Sequence, residues 1–230
     1  MEILKLFKVF RRSRKGKILM KVSVSVLSNE IKPQDIVKKL DLSKPDYIHI
    51  DIMDGKFVSN KTWTTSEVKK FTSYSTLPLE VHLMVNNPSK YIEDYALMNT
   101  SIIIFHYEAV KDINEMINKV KLYGLKVGIA INPETNINVL IPYLNMIDEV
   151  LIMSVHPGKS GQSFIEESLE KISVLKNIIL EGNYKTIISV DGGINNETGL
   201  LCKDAGADEL VSASYIQKDI INNIKTLKNI

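Results

Sequence analysis

Cysteine occurs once in the 230 residues, at Cys202. A lone cysteine excludes a disulfide framework and any multi-cysteine metal site. It fits a reducing compartment, so the expected location is cytoplasmic. No run of about 18 apolar residues is present, so no transmembrane segment is expected. No G-x-G-x-x-G follows the first apolar β-branched run and no P-loop appears, which removes two common nucleotide-binding signatures. Linkers, low-complexity tracts and a second domain are also missing. Excess positive charge is confined to one place. Residues 1–19 carry seven Lys or Arg and one acid, a net of +6, and the overall +2 leaves the rest near −4. The segment is a poor signal peptide, because its apolar part precedes its basic part. It reads as a basic extension, residues 1–19, to a single domain at 20–230. A mildly acidic domain argues against nucleic acid as a partner.

What the chain does have is one repeating unit. An apolar β-branched run is followed by a turn rich in Pro, Gly or Asn, then by an amphipathic segment. The strand candidates are KVSVSVL from Lys21, YIHIDIM from Tyr47, LEVHLMV from Leu79 and SIIIFHY from Ser101. They continue with KVGIAIN from Lys126, EVLIMSV from Glu149, TIISVDG from Thr186 and ELVSASY from Glu209. Between them KDINEMINKVKLYG sets Ile113, Met116, Ile117 and Val120 on one face, with Gly124 as a stop. FIEESLEKISVLKNIIL does the same with Leu169, Ile172, Leu175 and Ile179. Pro33 and Pro88 stand where helices should start. Eight strands alternating with eight helices predict a parallel α/β fold. The closed (β/α)8 barrel is preferred over an open doubly wound sheet, because eight units close and no dinucleotide fingerprint is present.

In such a barrel, chemistry sits at the C-terminal ends of the strands. Polar residues collect there: His49 and Asp51 in the second strand, His82 in the third, His106 and Glu108 at the fourth, Asp191 in the seventh. Residues two apart on a strand point the same way. So His49, Asp51 and Met53 share a face, as do Glu80, His82 and Met84, and Ser189 with Asp191. A single strand histidine is ordinarily a satisfied core residue. Two imidazoles and two carboxylates at one end of three strands instead make a plausible shell for a divalent ion. Zinc suits the imidazoles best, and iron, manganese or cobalt fits the same donors. His106 and His156 lack an obvious carboxylate at ligand spacing and read as structural or supporting. Asp54 reads as a cap on the turn before Gly55. The turns DGGI (191–194) and SAS (212–214) suit a phosphate, and HPGKSGQSF (156–164) has the composition of a mobile lid.

In order along the chain, HIDIMDGKFVSN, VHLMV, FHYEA, VGIAINPET, MSVHPGKSGQSF, SVDGGI and AGADELV resemble the ribulose-phosphate 3-epimerases. The resemblance runs from Met20 to the end. It implies a ribulose-phosphate-binding (β/α)8 barrel, an isomerase that interconverts ribulose 5-phosphate and xylulose 5-phosphate with one divalent metal. By position, it makes His49, Asp51, His82 and Asp191 the metal ligands and Asp51 with Asp191 the acid–base pair. Ser25 and His82 fall at substrate-contacting positions, and Gly192, Gly193, Ala213 and Ser214 at the phosphate cradle. Gly158, Lys159, Ser160 and Gly161 fall in the lid. Met53, Met84 and Met153 would line the site, or else pack the core. The resemblance implies a phosphorylated ketose as partner and leaves room for a homo-oligomer. The chain departs from the family pattern at Lys56, Ser59, Lys159, Ser160 and Ala213, positions that touch substrate fit and remove neither carboxylate. The rival readings are an allulose 6-phosphate 3-epimerase and a catalytically silent sugar-phosphate binder. The missing lysine of D-x-K-x-x-D after Asp51 argues against a related decarboxylase.

Overall fold

The computed structural model describes residues 19–28 and 30–230. The segment at residues 1–18 lies outside the described residues, and with it the expectation of a basic extension. Eight parallel strands close into a barrel in sequential order: β1 (Lys21–Ser25), β2 (Tyr47–Met53), β3 (Leu79–Met84), β4 (Thr100–His106), β5 (Lys126–Ile131), β6 (Glu149–Met153), β7 (Ile187–Asp191) and β8 (Glu209–Ser212). The expected (β/α)8 architecture is the one found. Parallel strands covered on both faces read as continuous apolar runs. That is why every one of the eight lies inside its sequence-predicted segment apart from Thr100.

Helices follow the strands: α1 (Pro33–Ser43), α2 (Thr65–Thr72), α3 (Ile92–Ala96), α4 (Ile113–Leu122), α5 (Ser168–Glu181), α6 (Asn196–Ala205), α7 (Ser214–Lys218) and α8 (Ile220–Asn229). Alternation fails at one place. The connection after β5 is a 3-10 segment, Ile137–Tyr143, not an α-helix. Pro142 lies inside it and has no N–H to donate to an α-helical ladder. The two β8 connections, α7 and α8, restore the count. The predicted face of α4 is buried as expected, through Ile113, Met116, Ile117 and Val120. The helix is opened by Asp112, whose side chain accepts from Glu115 N–H at 2.9 Å. In α5, Ile172, Leu175 and Ile179 are buried while Leu169 is only partly so.

The N-terminal end of the barrel is held by a repeated device. Asp46, Asp148 and Asp208 each stand just before an even-numbered strand. Their carboxylates accept the backbone N–H of Val22 (2.9 Å), Val127 (2.9 Å) and Ile188 (3.1 Å) in the preceding strand. Each aspartate's own N–H donates to the carbonyl of that same residue at 2.8–2.9 Å. A charge-assisted bond of this type contributes about 1.5–3 kcal/mol. The sequence trace is PDYI, IDEV and ADEL.

Candidate active site

Register places the polar side chains. Ser25 pairs with His49, Asp51 with His82 and Met53 with Met84, so these residues form adjacent rows on the inner wall. On the far side β6 and β7 align Met153 with Asp191. One donor atom from each of His49, Asp51, His82 and Asp191 lies within 4.8 Å of the others. His49 Nε2 is 3.3 Å from Asp51 Oδ1 and 3.4 Å from His82 Nδ1. His82 Nδ1 is 3.2 Å from Asp51 Oδ1. Asp191 Oδ2 stands 3.9 Å from His49 Nε2 and 3.8 Å from His82 Nδ1.

These spacings test whether the residues fit a divalent ion. With metal–ligand bonds of about 2.0–2.1 Å, tetrahedral ligands sit about 3.3–3.4 Å apart. Three of the ligand–ligand edges are already there, and Asp191 needs to close by about half an ångström. The other imidazole nitrogen of His49 is committed elsewhere. Nδ1 lies 2.6 Å from Glu80 Oε2, which also accepts from Ser23 Oγ at 2.7 Å. A carboxylate only accepts, so His49 carries a hydrogen on Nδ1, and Nε2 is the nitrogen that faces the cluster. The residues fit.

The electrostatics favour positive charge at this point and split the two aspartates. Burial works against ionised Asp51, but His49 and His82 beside it hold its carboxyl well below the usual range. Burial also works against a charged His49, and the neighbouring Asp51 and Glu80 outweigh it, holding the imidazole well above its usual value. His82 is pushed down to about 4, by burial first and with His106 adding to it. Asp191 is raised to about 7 by burial and by the nearby Asp51 and Glu80 charges. Near neutral pH Asp51 is therefore ionised, while Asp191 is close to half protonated and can hold or release its proton.

Above this cluster opens a cleft of about 500 Å³ including its mouth. Ser25, Asp51, Met53, Met84, Met153 and Asp191 line its lower part. Gly158, Lys159, Ser160, Gly161, Gly192, Gly193, Ala213 and Ser214 line its upper part. Every residue expected at the site reaches the cleft except His49 and His82, which are fully buried beneath it. Ser25 Oγ donates to Asp51 Oδ2 at 2.7 Å. The turn after β7 needs its glycines. Gly192 and Gly193 have φ of +121° and +63°, and a Cβ on Gly193 would come within 2.7 Å of Phe164 N. Ser154 Oγ secures that turn by donating to Gly192 O at 2.7 Å. The loop expected as a lid is stitched by Asn60 Nδ2 to Gly158 O at 2.7 Å and by Gln162 Nε2 to His156 O at 2.7 Å. Asp54 caps its turn, accepting from Lys56 and Phe57 N–H, and stays off the cleft.

Three groupings escaped the sequence reading. His106 does have a carboxylate partner, Glu108, with Nδ1 to Oε2 at 3.3 Å. His156 also has one, the exposed Glu134, at 3.1 Å. Beneath the cluster, Glu80, Glu149 and Glu209 are fully buried and bring carboxylate oxygens within 4.8 Å of one another. The signal for these three was a Glu at or next to the start of a strand, on the inward phase of the alternation: LEVHLM, EVLIM and ELVS.

Comparison with known proteins shows the family. A family model described as "Ribulose-phosphate 3 epimerase family" matches residues 21–217. The chain is 42% identical to the ribulose-phosphate 3-epimerase of Chlamydia pneumoniae over 181 residues, 78% of this chain and 79% of that protein. It is 39% identical to the ribulose-phosphate 3-epimerase of Methanocaldococcus jannaschii over 213 residues, 91% of this chain and 90% of that one. Among solved structures, N-(5'-phosphoribosyl)anthranilate isomerase from Pyrococcus furiosus superposes with a TM-score of 0.63 at 17% identity, covering 92% of this chain and all of that one. At that identity the likeness speaks for the barrel alone.

Proposed function

The chain belongs to the ribulose-phosphate 3-epimerase family of isomerases, and we propose that it epimerises carbon 3 of a ketose phosphate, D-ribulose 5-phosphate to D-xylulose 5-phosphate, with Asp51 and Asp191 as the acid–base pair. The observation that carries the reading is the convergence of these two carboxyls on the floor of one cleft, with Asp51 held below and Asp191 above the usual carboxylate range. Inverting the carbon beside a ketone requires removing its proton from one face and returning one to the other. Asp51 and Asp191 stand on β2 and β7, three strands apart around the ring, and so flank a carbon held between them. The ionised carboxylate takes the proton while the protonated one holds the hydrogen that returns to the opposite face. The reverse reaction exchanges the roles. His49, Asp51, His82 and Asp191 would hold a divalent ion, zinc by the imidazole content, which supplies Lewis-acid stabilisation of the charge on the substrate oxygens.

The remaining side chains orient and shield. Ser25 fixes Asp51 through its hydroxyl hydrogen bond. Met53, Met84 and Met153 give polarizable walls that exclude water and offer no strong donor to compete for the enediolate. Backbone N–H groups of the Gly192–Gly193 and Ala213–Ser214 turns cradle the phosphate.

The test is NMR of zinc-loaded protein in deuterated water with ribulose 5-phosphate and, separately, allulose 6-phosphate. Epimer formation with deuterium entering at carbon 3 of the pentulose supports the reading. Faster turnover of the hexulose would reassign the substrate. No exchange with either sugar in protein that binds zinc would sink the epimerase assignment.

A further inference from the structure

We propose that Glu108, acting through His106, is a positioning residue that fixes the tautomer of His82 and so keeps a lone pair on the nitrogen facing the metal site. The inference rests on the reading of His82 as a ligand. An imidazole that ligates through Nδ1 must carry its hydrogen on Nε2, and nothing in the ring itself enforces that choice. His82 Nδ1 faces Asp51 Oδ1 at 3.2 Å, and that carboxylate pulls the ring hydrogen toward Nδ1, where it would block the lone pair, although Asp51 also has His49 Nε2 at 3.3 Å and the Ser25 hydroxyl at 2.7 Å as neighbours. The choice is made at the other end of a chain of contacts.

His82 Nε2 lies 2.9 Å from His106 Nε2, with the two ring planes inclined by only 21°. One of these nitrogens donates and the other accepts. His106 Nδ1 lies 3.3 Å from Glu108 Oε2. The second carboxylate oxygen of Glu108 is already filled, accepting the Asn132 N–H at 2.8 Å and the Thr135 hydroxyl. Burial opposes charge on Glu108, but the bonds from His106, Thr135 and Asn132 hold it down to about 2. An ionised carboxylate accepts only, so His106 carries its hydrogen on Nδ1 and its Nε2 accepts. Among the described residues His106 Nε2 has no partner but His82, so at 2.9 Å the shorter contact wins over Asp51: His82 donates from Nε2, two bare nitrogens do not face each other, and Nδ1 is left bare. Phe57 seats the fully buried His106 ring, with centroids 4.8 Å apart. Neither His106 nor Glu108 lines the cleft, so both act through His82 and not on substrate.

Glu108→Gln reverses the chain without changing its shape. The amide oxygen must keep accepting from Asn132 and Thr135, so the NH2 group faces His106 Nδ1. His106 then donates from Nε2, and His82 receives its hydrogen on Nδ1. Two-bond 1H–15N correlation of the metal-free, full-length protein reads each tautomer directly. The expected result is Nε2–H on His82 in the wild type and Nδ1–H in Glu108→Gln. The variant's Zn2+ affinity, measured against a competing chelator, should fall about 10- to 100-fold. Nδ1–H on His82 in the wild type, or an unchanged tautomer in folded Glu108→Gln, overturns the inference. The wild-type spectrum decides by itself if the variant does not fold. Wild-type protein with the expected tautomer but no Zn2+ binding would sink the metal reading above and leave the tautomer assignment standing.

Discussion

Each strand of the barrel has two faces, and they are built from different chemistry. Outward stand Val22, Val24, Ile48, Ile50, Val81, Phe105, Val150 and Val190, all packed against the helices in one apolar layer. Inward the same strands carry Ser23, Ser25, His49, Asp51, Glu80, His82, Glu149, Ser189 and Glu209, nearly all beyond the reach of solvent. The β4–β6 side of the interior is mostly apolar, through Ile102, Ile104, Ala130 and Leu151, and Tyr47 and Val211 join that cluster from β2 and β8. The outer face supplies the folding energy, at about 25 cal/mol per Å² of apolar surface buried. The inner face spends part of it. Glu209 has both carboxylate oxygens buried without a donor, and Glu80 and Glu149 have one each.

Substitutions on the two faces should therefore separate activity from stability. The largest effect belongs to Asp191→Asn on the inner face. It should lower kcat by about 10²- to 10⁴-fold, the usual contribution of a positioned acid–base group. Thermal unfolding followed by circular dichroism should show no loss of Tm, since the change removes a carboxyl that Asp51 repels. Leu175→Ala on α5, wholly buried against the outer face, should do the reverse. Urea titration should show a loss of about 2–5 kcal/mol with kcat intact in the folded protein.

A third change separates the faces by pH. Burial, reinforced by Glu80, raises Glu149 from 4.5 to about 8. The folded state then binds more protons than the unfolded state between those two values. The stability from this group is full below pH 4.5 and is lost as pH rises through 8. Glu149→Gln should flatten the fall in stability between pH 5 and 8. At pH 8 it should gain about 1–3 kcal/mol in urea titrations, the cost of an unsatisfied buried carboxylate. A wild-type profile that is flat over this range would break the contrast. The smallest effect is expected from Ser25→Ala, which frees Asp51 Oδ2. It should cost about tenfold in kcat/KM, the lower end of the roughly 1.5–3 kcal/mol that a hydrogen bond to a charged group contributes.

The two faces also differ in how well the sequence displays them. The outer face was legible because an apolar, often β-branched residue recurs at every second position of a strand whatever stands between. YIHIDIM could be bounded to the residue. The cleft-side aspartates, methionines and glycine turns were legible by alternation and by resemblance. Glu108 was not, because the chain leaves the strand at His106 and Tyr107–Ala109 is a 3-10 turn. The rule that residues two apart share a face has no force there. Glu80, Glu149 and Glu209 were hidden for another reason. Each looks like an ordinary polar residue at a strand's edge, and only the register of several strands brings them together.

The aspartates at the foot of the barrel have a kinetic consequence. Asp46, Asp148 and Asp208 reach back only 24, 21 and 20 residues to the strands they fasten. Each bond can form as soon as one strand–connection–strand module collapses, before the ring exists. Closing the ring is different. β1 must meet β8, and the bond from Gln217 Nε2 to Ser25 O spans 192 residues. Long-range pairing of this kind is slow, because the entropy of the loop is lost before any contact compensates. The chain should therefore assemble as quickly formed pairs joined by one late closure, and β1, which carries Ser25 into the cleft, is among the last parts of the active site to arrive.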